Sequence, residues 1–180
     1  MATIRTERLT LRPLELSDAA RISAFTRDWD VARMVSSIPF PQPLISVEGF
    51  LLIEQARRPL ERDWTFAIEI PGEGLIGMVG AHVRGKDYSG RFVEIGYWVG
   101  KPYWGKGYAT EAARAVADFG AGLAHGPVMA RHYADNPASG RVLEKAGFVY
   151  NGEQREGFSL ARGGTAPSLS MERKALRKAA

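Results

Sequence analysis

The apolar period of this chain changes sharply near residue 100, and that change governs what it can fold into. Upstream, three strand-length apolar segments follow one another over residues 64–70, 75–83 and 92–99. They are separated by Pro71-Gly72-Glu73-Gly74 and by Gly85-Lys86-Asp87-Tyr88-Ser89-Gly90. Both connections are rich in turn formers, so antiparallel hairpins are predicted. Downstream, Ala109, Ala112, Ala113, Val116, Gly120 and Leu123 share one face at helical spacing. A strand over 127–133, a helix over 137–146 and strands over 148–153 and 169–173 complete the pattern. The class is mixed α/β, with hairpins first and a strand–helix–strand unit afterwards.

The first part of the chain reads as a strand over 10–14 and a helix through about Thr26, with Ser17-Asp18 as its cap. One or two helices are predicted between 30 and 60, interrupted by Pro39, Pro41 and Pro43. Within 45–57 the spacing turns Phe50 and Ile53 inward and offers Ser46 as a cap. The helix over 137–146 is punctuated at both ends. Asn136 can cap it, Pro137 suits its first position, and Gly147 can close it with Phe148 folding back onto Leu143. With 180 residues, no repeat and no dividing linker, residues 1–180 form one domain.

Several function classes are disfavoured. No apolar run approaches the roughly 20 residues of a membrane span, and the N-terminus lacks an apolar signal region, so the expected location is cytoplasmic, with no membrane partner. Of the formal net charge of +4, residues 172–180 carry +3, so the basic balance is a tail and no nucleic-acid partner is expected. The absence of cysteine removes thiolate metal sites and a cysteine acyl-enzyme. His82, His125 and His132 lack ligand spacing, so no metal is expected.

The chemistry concentrates in Glu94-Ile95-Gly96-Tyr97-Trp98-Val99 and in Lys101-Pro102-Tyr103-Trp104-Gly105-Lys106-Gly107-Tyr108-Ala109-Thr110-Glu111-Ala112. A strand runs into a glycine-bearing loop that opens a helix, where backbone N–H groups lack intrahelical partners at the positive end of the dipole. Such a turn suits a phosphate. A Walker A loop would begin at Gly100 and reach Lys106, but Gly107 stands where the Mg²⁺-binding hydroxyl belongs. A dinucleotide fingerprint would begin at Gly105 and Gly107, but Thr110 replaces its third glycine.

The third pattern fits better. Trp104-Gly105-Lys106-Gly107-Tyr108-Ala109 resembles the coenzyme A loop of the GNAT acetyltransferases, [Q/R]-x-x-G-x-[G/A], with tryptophan at the first position. The string from Tyr103 to Ala112 is similar to the RimJ/RimL-type branch. So are Thr6-Glu7-Arg8-Leu9-Thr10-Leu11-Arg12-Pro13-Leu14 with Asp18-Ala19, and Asn136-Pro137-Ala138-Ser139 leading to Leu143-Glu144-Lys145-Ala146-Gly147-Phe148. The resemblance spans residue 6 to about 173.

That resemblance implies a mostly antiparallel twisted sheet of about seven strands, splayed between the family's strands four and five and flanked by helices. It implies acetyl-CoA as cosubstrate and an amine acceptor, a protein N-terminus or a small molecule, with a homodimer admitted by this branch. The pyrophosphate would rest on the amides of Trp104, Gly105, Lys106, Gly107, Tyr108, Ala109 and Thr110. The strand through Tyr97, Trp98 and Val99 would pair with pantetheine and polarise the acetyl carbonyl through one N–H. Asn136 corresponds to a pantetheine contact, a role compatible with a helix cap. Ser139 corresponds to the donor facing the departing thiolate, against a reading as a solvated first-turn serine. Glu94 corresponds to a base acting through water, against an ion-paired strand glutamate. His82 and His132 read chiefly as structural histidines, with proton relay as the alternative. Transfer would be direct, in a ternary complex. A non-catalytic coenzyme A sensor of the same fold, and a phosphate-loop hydrolase, are the competing readings.

Overall fold

The computed structural model describes residues 3–57, 63–85, 91–123 and 126–173. The hairpin connection over 86–90, His125 and the basic tail past residue 173 lie outside them. Eight strands form one sheet among the described residues, in the order β1-β2-β3-β4-β5-β6-β8-β7. In chain order these are β1 (Ile4–Arg5), β2 (Thr10–Pro13), β3 (Asp63–Ile70), β4 (Gly74–Arg84), β5 (Phe92–Val99), β6 (Val128–Tyr133), β7 (Val149–Ser159) and β8 (Gly164–Arg173). The helices are α1 (Ala19–Thr26), α2 (Trp29–Ala32), α3 (Leu44–Arg57), α4 (Tyr108–Gly120) and α5 (Pro137–Lys145). The expected seven strands become eight because Ile4 and Arg5 pair with Leu11 and Thr10. Two residues are too few for an alternation signal, so this strand is a tertiary product.

Every pairing is antiparallel except that of β5 with β6, which is parallel and short. Only Val93, Glu94 and Ile95 find partners, at Val128, Met129 and Ala130. Beyond Ile95 the two strands diverge, leaving Gly96 to Val99 with one free edge. This is the splay expected between the family's strands four and five.

Alternation along the strands sends side chains to two faces, each with its own core. One face carries Phe66, Ile68, Val79, Ala81, Val93 and Ile95 against Ala112, Ala113, Val116 and Ala117 of α4 and Leu143 of α5. Small residues on α4 let it lie close to the sheet. The other face carries Ala67, Leu75 and Met78 against Ala19 and Ile22 of α1 and Val47 and Leu51 of α3. The inward face of α3 agrees with expectation at Phe50, which packs against this core, but Val47 and Leu51 are its buried residues and Ile53 is half exposed. The helix begins three residues earlier than a Ser46 cap requires. Ser46 lies inside the first turn, donating to the Pro43 carbonyl at 2.8 Å.

The capping role expected of Ser17-Asp18 is also different. A 3₁₀ turn, Leu16–Asp18, precedes α1, and Asp18 makes no side-chain bond to that helix. Its carboxylate instead receives both terminal nitrogens of Arg12, at 2.8 and 2.9 Å, and the Glu15 amide at 2.9 Å. A guanidinium six residues away outcompetes a local cap because its bonds are bidentate and charged. The closure of α5 follows expectation. Gly147 sits at φ +94°, its amide bonds Glu144 O, and the Phe148 amide bonds Leu143 O, both at 3.0 Å.

Candidate functional site

β5 ends at Val99 and a 3₁₀ turn, Lys101–Tyr103, carries the chain to α4. Gly105 at φ +75° and Gly107 at φ +83° take the left-handed conformation that lets the loop curl before the helix starts, Gly107 standing at its N-cap. The amides of Tyr103 and Trp104 are used inside the turn. Among the described residues, those of Gly105, Lys106, Gly107, Tyr108, Ala109 and Thr110 meet no acceptor, and the next donor used is Glu111, bonded to Gly107 O. Six consecutive N–H groups thus stand open where the dipole of a thirteen-residue helix is most positive. The side chain of Trp104 has a different task. Its indole Nε1 donates to the Val99 carbonyl at 2.6 Å, closing the end of β5.

Two features of this loop have no signal in its own sequence. Arg8, from the β1–β2 connection, donates to the Lys106 carbonyl at 3.0 Å and lies 4.8 Å over the Tyr108 ring. Glu111 in turn accepts from Thr6 Oγ1 at 2.6 Å and from the amide and Nε of Arg8 at 2.8 Å each. Burial works against charge on Glu111, but the bonds from Thr6 and Arg8 outweigh it and hold its carboxyl below the ordinary range. Glu111 therefore complements the dipole and also ties the first strands to α4. A depression of about 460 Å³ opens beside the loop, with Gly105, Gly107 and Thr110 on one wall and Arg8, Arg114 and Lys145 on another.

The free edge of β5 leads away from this loop. Gly100 donates to Ile76 O at 2.8 Å, so alternate residues Trp98 and Gly96 turn their backbone polar groups toward β4. Tyr97 and Val99 turn theirs into the splay. The Trp98 side chain packs on the α1 and α3 face, in edge contact with Phe25 at 6.5 Å. Across the splay stands the first turn of α5. Asn136 caps it, its side chain accepting the Ser139 amide at 3.2 Å. The Tyr97 hydroxyl lies 2.8 Å from Ser139 Oγ and 3.1 Å from the Ser139 carbonyl, and by giving its one proton to Oγ it leaves the serine hydroxyl free to donate elsewhere. Burial pushes the Tyr97 phenol well above its ordinary range, so it remains a donor. The gap left by the diverging strands thus lies between the β5 edge of Tyr97 and Val99 and the α5 turn of Asn136 and Ser139, with Tyr97 reaching across it to Ser139.

Glu94 lies outside that gap, on the opposite sheet face, where Arg131 reaches it at 3.4 Å and Arg84 at 3.8 Å. The same face carries His82, paired in register with Glu94, and Asp63, which receives His82 Nδ1 at 2.7 Å. His132 is buried, with Nδ1 against the Tyr133 carbonyl at 2.8 Å and Nε2 against the Tyr150 hydroxyl at 3.1 Å. Among the described residues no three His, Asp or Glu side chains gather as a metal requires, and no helix is long and apolar enough to cross a membrane.

Comparison with known proteins identifies the family and the fold. The profile of the acetyltransferase (GNAT) domain matches residues 8–149. The uncharacterized N-acetyltransferase p20 of Bacillus licheniformis is 29% identical over 164 residues, covering 91% of this chain and 90% of that protein. RimL, a ribosomal-protein α-N-acetyltransferase solved with coenzyme A, shares the fold at a TM-score of 0.80 and 15% identity, over 96% of this chain and 97% of its own. A ribosomal-protein alanine acetyltransferase from Vibrio fischeri does so at 0.80 and 19%, over the full length of both chains.

Proposed function

Because the chain belongs to the GNAT acetyltransferase family, we propose that it moves an acetyl group from acetyl-CoA directly onto an amine, within one ternary complex. The observation that carries this reading is the row of open amides from Gly105 to Thr110, in the turn that follows the free edge of β5. Backbone donors suit a pyrophosphate because each charge-assisted bond contributes roughly 1.5–3 kcal/mol and none depends on side-chain identity. Tryptophan at position 104 is then tolerated, since its indole is engaged with Val99.

In this reading the amides from Gly105 to Thr110 hold the diphosphate, and that of Trp104, expected to join them, is already bonded to the Lys101 carbonyl. The free edge of β5 pairs with the amides of pantetheine, and the N–H of Tyr97 or Val99 faces the acetyl carbonyl. Asn136 caps α5 with its oxygen and has its amide nitrogen left to offer the ligand. Ser139, held by Tyr97, presents a hydroxyl to the departing sulfur. A serine hydroxyl is a weak acid, so it stabilises the thiolate by a hydrogen bond and leaves full protonation to solvent. The amine loses its proton on the sheet face that carries Glu94. A chain without cysteine has no thiol to hold the acetyl group in between.

The acceptor is a protein N-terminus or a small amine, the protein acts in the cytoplasm, and a homodimer is compatible with it. The test is turnover of labelled acetyl-CoA against a panel of peptide N-termini and small amines, with coenzyme A binding measured in parallel. Turnover on at least one amine is expected, together with a fall in kcat of about ten- to a hundredfold for Ser139→Ala. Binding without turnover on any amine would leave a coenzyme A sensor instead. Tight Mg²⁺-ATP binding without coenzyme A binding would refute both.

A further inference from the structure

The sheet face opposite α4 contains a feature that the transfer reading does not yet use. His82 and Gly80 follow each other on that face of β4, opposite Glu94 and Gly96 of β5. A Cβ on Gly80 would stand 2.6 Å from His82 Nε2, so the imidazole lies flat along the strand over the backbone of Gly80. Gly96, the cross-strand neighbour of Gly80, has no heavy atom within 4 Å of where its Cβ would be, and it is exposed although it lies in mid-strand. Gly96 therefore leaves a bare patch of sheet beside the ring that covers Gly80. His82 and Glu94 bound it at one end, and Met78 and Trp98 at the other.

The protonation pattern of the imidazole follows from its partner. The Asp63 carboxylate has no proton to give, so at 2.7 Å it must accept one from Nδ1. In the neutral ring the lone pair then lies on Nε2, which meets no hydrogen-bond partner among the described residues. It is directed along β4 over Gly80, one strand spacing, about 5 Å, from the edge of β5 where the splay begins. Glu94 is placed differently, its carboxylate facing the guanidinium groups of Arg131 and Arg84. The charged groups around His82 are Asp63 on β3, Arg84 on β4, Glu94 on β5 and Arg131 on β6. Arg84 also bonds Asp63 at 3.0 Å, which fixes the carboxylate that fixes the imidazole.

We propose that His82 is the general base of the transfer, that Asp63 is its positioning residue, and that the open face of Gly96 beside the imidazole seats the acceptor amine. This deepens the reading given above and rests on it. An ammonium proton passes to Nε2, and the freed nitrogen lone pair attacks the thioester carbonyl at the edge of β5. The C–N bond forms, the C–S bond breaks, and the sulfur leaves as thiolate. The second proton of the new amide nitrogen goes to that sulfur through water, and the imidazolium returns its proton to solvent. Histidine suits the task because its titration range brackets neutral pH.

The test compares two nucleophiles in the full-length protein. One is the best alkyl amine of the panel, which must be deprotonated; the other is hydroxylamine, already neutral at pH 7. For His82→Gln, kcat/KM with the alkyl amine falls about a hundredfold or more, while hydroxylamine loses less than about threefold. The loss on the alkyl amine shrinks as pH rises toward the amine's own range, and the acid limb of the wild-type pH profile disappears. Asp63→Asn gives the same selectivity at smaller amplitude. Gly80→Ala also does so, because its methyl displaces the ring without altering charge. Equal losses on both nucleophiles would overturn the base role and leave acetyl transfer standing. So would a ¹⁵N spectrum at neutral pH placing the His82 proton on Nε2. A wild type that acetylates no amine removes the transfer reading and the base with it, and that failure is visible before any variant is made.

Discussion

Replacing Gly107 by valine separates two ways of binding a diphosphate. Gly107 holds φ at +83°, where an L-residue is strained by about 1–2 kcal/mol and a β-branched one by more. A Cβ there would also stand 3.3 Å from Arg8 Nη2, the guanidinium that supports the Lys106 carbonyl. The loop relieves both by rotating toward negative φ, which swings the amides on either side of residue 107 away from their common focus. Losing one charge-assisted bond of roughly 1.5–3 kcal/mol weakens coenzyme A binding by about ten- to a hundredfold, at 1.4 kcal/mol per decade. Lys106→Ala leaves every amide in place and removes only an exposed ammonium lying 5.5 Å over the Tyr103 ring. Its effect on the dissociation constant should stay below about threefold. Isothermal titration with coenzyme A, alongside thermal melts that check folding, measures both. If Lys106→Ala weakens binding as much as Gly107→Val does, the amide row is not what holds the ligand and the reasoning is wrong.

Three further outcomes follow from the same geometry. Asn136→Ala should lower stability by about 1 kcal/mol through loss of the α5 cap. Asn136→Ser keeps a cap but not the amide nitrogen, so it should retain stability and lose coenzyme A affinity; unchanged affinity would confine Asn136 to capping. Glu111→Gln should be less stable than wild type by about 1 kcal/mol or more at neutral pH. The folded carboxyl lies below its ordinary value, so its contribution is complete above about pH 4.3 and is lost as pH falls through the folded value. Denaturant unfolding across that range should show the two proteins converging in acid, and a constant gap would refute the linkage. In Gly77→Ala the methyl would collide with the Trp98 carbonyl and stand 2.9 Å from Val99 Cα, backbone that cannot turn aside. Overpacking of about 1–3 kcal/mol should lower Tm by about 5–10 °C, and an unchanged melt would mean that β4 and β5 can part without loss.

What could be read from sequence alone was whatever neighbouring residues decide among themselves. The hairpins after residue 63 follow from turn formers between alternating segments, α4 from alanines at helical spacing, and the close of α5 from Gly147 and Phe148. The turn with open amides was legible for the same reason, since two glycines and a helix start lie within four residues. Tertiary structure decided the rest. Asp18 was claimed by Arg12 rather than by a helix end, and α3 turned Val47 and Leu51 inward because α1 and the sheet set its rotation. Arg8 meets Lys106 across 98 positions, Tyr97 meets Ser139 across 42, and Asp63 meets His82 across 19. Such encounters depend on which strands lie side by side and in what register. Side-chain period fixes the face a residue takes, but only the closed sheet fixes what faces it.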